Sequence, residues 1–219
     1  MGLRPVIISS MFLFLFAVIG TTMVAYTYTS TEQRIADNER MALLRTISDL
    51  IPEERYDNDV FHDIIEVRNR ELLGSDKPVP VYRARKNGWP VAAILSPTAP
   101  DGYNGAIHLL VAVNLDGTLA GVRVLGHRET PGLGDAIEIE RSDWIRSFSN
   151  RSLRNPRSED WKVKRDGGAF DQFTGATITP RAVVKAVHKA LLYFAAHEDR
   201  LFREAPDVNH ERKLQNDRK

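Results

Sequence analysis

Between Pro5 and Thr31 the chain carries no charged residue, and residues 6–26 are almost wholly apolar. A run of that length supplies the ~20 residues that an α-helix needs to cross a hydrocarbon layer about 30 Å thick. It divides the chain before any fold is considered: the amino-terminal end is a membrane anchor, and the chemistry belongs to the remainder. A cleaved signal peptide shares the short basic start, but its apolar core is only ~7–15 residues and ends at a small-x-small site. Neither Met23-Val24-Ala25-Tyr26 nor Tyr28-Thr29-Ser30 supplies such a site. Arg4 precedes the run, while Arg34, Arg40 and Arg45 come after it among acids. A cytoplasmic amino-terminal tail with a translocated carboxyl-terminal domain is the simpler topology.

The rest has room for one domain of ordinary size. Its 30 lysines and arginines against 29 aspartates and glutamates leave no basic surplus for nucleic acid. The chain has no cysteine, which excludes disulfides, cysteine-ligated iron–sulfur clusters and c-type haem attachment within it. A redox role would need an organic cofactor, a haem held without cysteine, or a group on a partner. His188 and His197 stand neither three nor four residues apart, so no metal site is expected.

Hydrophobic spacing predicts a helix over residues 32–51, through Ile35, Met41, Leu44, Ile47 and Leu50 or Ile51, with Pro52 ending it. A second short helical pattern covers 57–73, closed by Gly74. Strands are expected over 79–85 and 89–95 around an Asn87-Gly88 hairpin, then on Ile107, Leu109, Val111 and Val113, then over 119–125 after Asp116-Gly117. Pro97 and Pro100 interrupt them. Ser142 reads as a helix cap, 150–160 as a surface loop, 161–164 as a short strand, and Asp166-Gly167-Gly168 as a turn. Thr179-Pro180 is expected to open the last helix, with a hydroxyl cap and proline at its first position, and the chain to fray beyond His197. The fold class is α+β: a transmembrane helix, then one domain with a central, largely antiparallel sheet flanked by helices. The expected plan is tail and anchor 1–31, helical stalk and connecting helix 32–78, domain 79–197, charged tail 198–219.

The densest chemistry lies in Asp171-Gln172-Phe173-Thr174-Gly175-Ala176-Thr177-Ile178-Thr179-Pro180. Gly175 permits backbone torsions that a side chain disfavours, so successive N–H groups can converge on an anion. A phosphate placed there would also meet the positive end of a helix dipole. On residue chemistry alone the run reads first as a glycine turn leading into an ordinary helix cap, with its threonines serving turn and cap hydrogen bonds.

Asp171-x-x-Thr174-Gly175-Ala176-Thr177 matches the acceptor signature Asp-x-x-(Ser/Thr)-Gly-Ala-(Ser/Thr), and through it the chain resembles the covalent FMN-binding domain family. The resemblance implies that a flavin transferase, using FAD and Mg2+, esterifies FMN to Thr177. Asp171, Thr174, Gly175 and Ala176 would then be recognition or phosphate-environment residues, and 79–197 the FMN-binding domain. Gly126-His127-Arg128-Glu129-Thr130-Pro131-Gly132-Leu133-Gly134 resembles the Glu-Thr-Pro-Gly-Leu-Gly loop of the same family. That adds Glu129, Thr130, Gly132 and Leu133 to the cofactor-binding set. Glu129 and Thr130 can hydrogen-bond the ring edge or the ribityl chain.

From the anchor through the last helix the chain is similar to the G-subunit family of the Rnf ion-translocating electron transport complex, most specifically over 174–187, TGATITPRAVVKAV. The neighbouring family, the C subunits of the sodium-translocating NADH:quinone oxidoreductase, has a longer chain and a Ser-Gly-Ala-Thr acceptor; Thr174 favours the first. The resemblance implies an electron carrier rather than a complete catalyst, serving a complex that couples ferredoxin/NAD electron transfer to ion translocation. Its partners would be the other membrane and iron–sulfur or flavin subunits, and the flavin transferase during maturation. It would cross the bacterial inner membrane once, with the C-terminal domain on the periplasmic side. A reading from another class is an anchored binding or assembly module without covalent flavin.

Overall fold

The computed structural model describes residues 3–203. Those residues form two units, 3–44 and 45–203. Helix α1 (Leu3–Leu50) is a single helix of 48 residues, so the apolar run and the helix expected after it are continuous. No proline or glycine falls between Gly20 and Pro52 to break it. Its segment Arg4–Glu32 is 29 residues, long and apolar enough to cross a membrane, with no part buried. Hydroxyls within that segment are satisfied locally: Thr22 donates to the Val18 carbonyl at 2.7 Å and Thr27 to the Met23 carbonyl at 2.8 Å. An apolar surrounding therefore meets no bare donor at these two side chains.

The second unit begins with the last turn of α1, whose Ile47 and Leu50 are buried with Ile51. Residues 57–73 are not the helix that their spacing suggested. Ile64–Val67 form strand β1, and helix is confined to α2 (Arg70–Leu73). The β-branched Ile64, Ile65 and Val67 suit a strand, and antiparallel pairing with β2 (Val79–Lys86) decides the matter. Asn69 caps α2 by accepting the Leu72 N–H at 2.9 Å, and Gly74 ends it at φ +72°.

Strands β3 (Trp89–Leu95), β4 (Thr98–Gly102), β5 (Gly105–Asn114) and β6 (Leu119–Gly126) complete an antiparallel sheet. β5 is its spine. Register places β3 against residues 111–114 of β5 and β4 against 105–108, while β6 pairs along 108–113. β3 and β4 therefore share one edge of β5 end to end, and β6 takes the other. Sequence reasoning took Pro97 and Pro100 as interruptions and missed that the chain resumes as β4 across Pro100. The residues expected on one face of β5 are buried, but so are Leu110 and Ala112 on the other, because both faces of the sheet are covered.

Helix α3 (Ile178–Arg203) lies over one face, where Val183, Val187, Leu191 and Phe194 pack with Val81, Leu95, Leu109 and Val111. Each such side chain contributes about 1.5–3 kcal/mol of burial. On the opposite face, Leu50 sits so close to β6 that a side chain at Gly121 would approach its Cδ2 to 2.8 Å. The strand expected at 161–164 is a single bridge between Val163 and Phe170. A 3-10 turn over Lys164–Asp166, ended by Gly167 at φ +82°, curls the chain away at once.

Two expectations about α3 are corrected. Its first residue is Ile178, so Pro180 is third in the helix; it is tolerated because first-turn N–H groups have no helical acceptor. Nor does the chain fray directly after His197. Helix continues to Arg203, Leu201 is buried, and the Arg83 and Arg85 guanidinium groups donate to the Leu201 and Phe202 carbonyls at 3.1 and 2.9 Å. Asp63 pairs with both arginines, which lets Arg83 be fully buried. The remaining expected tail, 204–219, lies outside the described residues.

Candidate functional site

Three turns from distant parts of the chain meet at the start of α3. The first joins β4 to β5 through Tyr103 and Asn104, with Gly102 paired to Gly105. The second is Thr130-Pro131-Gly132-Leu133, closed by the Leu133 N–H on the Thr130 carbonyl at 3.1 Å, with Gly132 at φ +77°. The third is Phe173-Thr174-Gly175-Ala176, closed by the Ala176 N–H on the Phe173 carbonyl at 3.2 Å, with Gly175 at φ +82°. Both closed turns have the positive φ at their third residue that defines type II, and glycine alone takes it without strain. The two sequence motifs are thus two copies of one backbone device. They touch, since a Cβ on Gly175 would lie 3.6 Å from Leu133 Cδ2.

Glu129 fastens the three together. Its side chain is buried, and it accepts the Asn104 N–H at 3.0 Å and the Thr179 hydroxyl. A Cβ at Gly102 would come within 3.0 Å of one carboxylate oxygen and a Cβ at Gly134 within 2.9 Å of the other, so both positions need glycine for this approach. His127 stiffens the loop from behind. Its Nδ1 accepts the Glu129 N–H at 2.9 Å, which leaves Nε2 to carry the proton toward Glu138 Oε1 at 2.8 Å.

Between the turns lies a cavity of about 350 Å³ lined by Tyr103, Glu129, Thr130, Leu133, Gly134, Gly175, Ala176, Thr177, Ile178 and Thr179. That volume falls within the ~300–1,000 Å³ usual for small-molecule and cofactor sites. The three threonines of the acceptor run separate here. Thr174 is exposed and does not line the cavity. Thr179, expected as the helix cap, is 1 % exposed with its hydroxyl committed to Glu129. Thr177 holds the cap position instead: its carbonyl accepts the Arg181 N–H at 3.3 Å and its side chain opens on the cavity. Asp171 and Gly132 also lie outside the lining. The Asp171 carboxylate pairs with Lys164 at 2.6 Å and its carbonyl accepts the Trp144 indole N–H at 2.8 Å, so it braces the run that carries Thr177.

Sequence reasoning missed Tyr103, Asn104, Gly134 and Ile178, which the fold brings to the site. Gly134 and Ile178 stand inside the two motifs, and Gly102-Tyr103-Asn104-Gly105 carried its own signal, a glycine-bounded pair between apolar runs. Arg181 faces Asp166 through two hydrogen bonds of 2.6 and 2.9 Å, and this guanidinium holds the Asp166 carboxyl below its ordinary range. Among the described residues no cluster of histidine and carboxylate side chains is arranged to hold a metal ion.

The geometry suits a phosphorylated planar ligand. An apolar wall of Leu133, Ile178 and Tyr103 stands beside a hydroxyl at the positive end of a 26-residue helix. A family model described as FMN-binding domain matches residues 102–192, and one described as RnfG N-terminal region matches residues 1–50. The class is that of FMN-binding-domain proteins carried on an apolar amino-terminal helix. The G subunit of the ion-translocating oxidoreductase complex of Pseudomonas aeruginosa is 48 % identical over 95 % of this chain and 97 % of its own length. The proteins of the same name from Pseudoalteromonas atlantica and Shewanella amazonensis are each 46 % identical, over 89 % and 85 % of this chain and 90 % and 87 % of their own lengths. The chain belongs to this family, the G subunits of ion-translocating oxidoreductase complexes.

Proposed function

We propose that the chain is a membrane-anchored flavoprotein that relays electrons through one FMN, joined by a phosphoester to Thr177 Oγ, within an ion-translocating oxidoreductase complex. One observation carries the choice of atom. Of the three hydroxyls in the acceptor run, Thr177 alone both lines the cavity and is free of a buried commitment at the start of α3. Bound FMN would supply reversible uptake and release of electrons. The residues of this chain bind and orient it. The opening N–H groups of α3 would bind its phosphate, Leu133, Ile178 and Tyr103 would give the ring apolar surface, and Thr130 and Glu129 would supply polar atoms to it. Glu129 does this as a braced group, since Thr179 and Asn104 already fix its carboxylate.

Attachment by a flavin transferase forms the Thr177 Oγ–P bond and breaks the pyrophosphate of FAD, with AMP leaving. The apolar helix over residues 4–32 anchors the chain in the bacterial inner membrane with residues 45–203 on the periplasmic side. The other membrane and iron–sulfur or flavin subunits act as electron donor and acceptor. The test is denaturing electrophoresis after co-expression with the transferase. Flavin fluorescence should stay with the wild-type band, whose mass should exceed the sequence mass by one esterified FMN. Thr177→Val should lose both signals and keep the fold. Fluorescence retained in that variant refutes the site, and an unmodified wild-type mass favours the binding-module reading.

A further inference from the structure

The acceptor hydroxyl has a cationic neighbour that neither motif contains. Arg165 Nη1 lies 3.4 Å from Thr177 Oγ1, at the long end of hydrogen-bonding range. Exposed arginines usually wander, but the backbone of this one is held from several sides. It sits in the Lys164–Asp166 turn, where the Lys164 N–H donates to the Phe170 carbonyl at 2.6 Å and the Arg165 N–H to Gln172 Oε1 at 3.1 Å. The next residue, Asp166, is clamped to the first turns of α3 through Arg181. A Cβ at Gly168 would fall 2.1 Å from the Lys162 carbonyl oxygen, so the loop is closed too tightly for any other residue there.

The charges around it are already apportioned. Lys164 is paired with Asp171 and Arg181 with Asp166. Among the described residues Arg165 has no carboxylate in ion-pair contact, and its guanidinium is directed at the acceptor hydroxyl instead. A forked cation with no carboxylate in ion-pair contact, within hydrogen-bonding reach of the atom that would carry a phosphate, suits the way guanidinium groups bind phosphate oxygens.

We propose that Arg165 is the counter-cation of the flavin phosphate, neutralising the phosphodiester on Thr177 and setting the direction in which the ribityl chain leaves it. This rests on Thr177 as the attachment point. The opening of α3 would supply N–H groups to the phosphate and Arg165 a full positive charge beside the atom that carries it. The loop 163–172 is then part of the cofactor site although none of its residues lines the cavity.

The test uses the full chain co-expressed with the transferase and purified in phosphorus-free detergent, comparing wild type with Arg165→Lys, Arg165→Ala and Arg165→Glu. Three quantities are read: the initial rate of covalent loading by in-gel fluorescence, the 31P resonance of the loaded protein, and the melting temperature. Arg165→Glu should load about tenfold more slowly, equivalent to ~1.4 kcal/mol, with Arg165→Lys between it and wild type. Loaded Arg165→Ala should show a displaced 31P resonance at an unchanged melting temperature, because the side chain is exposed and has no ion-pair partner to lose. Wild-type loading in Arg165→Glu overturns the proposal, and so does an unmoved 31P resonance in loaded Arg165→Ala even where loading slows. Should Arg165→Glu fail to fold, the Lys and Ala variants decide by the same two readouts. Peptide mapping of the wild-type protein separates the two claims. Flavin on another residue removes both, whereas flavin on Thr177 with indifferent Arg165 variants removes only this one.

Discussion

Deleting the Glu129 carboxylate should loosen three turns at once, and the cost can be worked out from its partners. In Glu129→Ala the Thr179 hydroxyl, 1 % exposed, loses its acceptor. A buried donor left bare costs about 1–3 kcal/mol. The Asn104 N–H lies in an exposed turn where water replaces the lost oxygen, so it adds little. The missing methylene contributes ~0.8 kcal/mol more, for a total of roughly 2–4 kcal/mol. A domain of this size loses ~2–4 °C of melting temperature per kcal/mol, so Glu129→Ala should melt about 5–15 °C below wild type. Glu129→Gln keeps an acceptor for Asn104 and offers an amide N–H to the Thr179 oxygen, and should cost less than about 1 kcal/mol. Combining Glu129→Ala with Thr179→Val should destabilise less than the sum of the single variants, with a coupling of ~1–3 kcal/mol. Calorimetry of the detergent-solubilised chain measures all four. An Ala variant that melts with the Gln variant, or an additive double variant, would refute the idea that this carboxylate fastens the site.

Burial raises the Tyr82 hydroxyl from 10.0 to about 12. The unfolded chain therefore loses this proton first as pH rises, and the associated stability, complete below pH 10, disappears as pH climbs through 12. Across that window this amounts to roughly 3 kcal/mol, and Tyr82→Phe should flatten that part of a pH-dependent denaturation curve; an unchanged slope counts against it. Because the chain has no cysteine, a single Ser147→Cys reports topology without background. A membrane-impermeant maleimide should label it once the outer membrane is opened, and labelling only after lysis of the inner membrane would contradict the periplasmic placement.

The features legible in the sequence were local, and the rest depends on distant residues. Asn87-Gly88 and Asp116-Gly117 announce their hairpins because the chemistry of a tight turn is confined to its own residues. Gly132 and Gly175 were legible for the same reason. The four residues of β1 carry no such mark, and their apolar neighbours at Val60, Phe61 and Leu73 imitate a helix. β4 contains Pro100 and two residues of poor strand propensity, and it is a strand because β5 is long enough to hold a second partner. Thr179-Pro180 has the look of a helix start, yet the Thr179 hydroxyl is claimed by a carboxylate fifty residues earlier. Nothing in the spacing around Thr177 signals Arg165, since the loop that presents it is folded back by Gly167 and Gly168. The candidate atoms were thus visible in the sequence, while their sorting into an open hydroxyl, a brace and an apolar wall required the fold.

Helix α3 behaves as a tie rod. Its 26 residues span about 39 Å, and it is fastened at one end to Glu129 beyond β6 and at the other to Arg83 and Arg85 in β2. Oily contacts along its middle resist lifting but permit sliding, because one methyl group replaces another at little cost. The polar fastenings remove that freedom, since any slide along the axis must break hydrogen bonds at both ends together. A cofactor tied to Thr177 inherits the mobility of the atom that holds it, and electron transfer weakens steeply with distance. Were a flavin joined to Thr177, the clasp at Leu201 and Phe202 would act as a distance gauge for it from the opposite end of the helix.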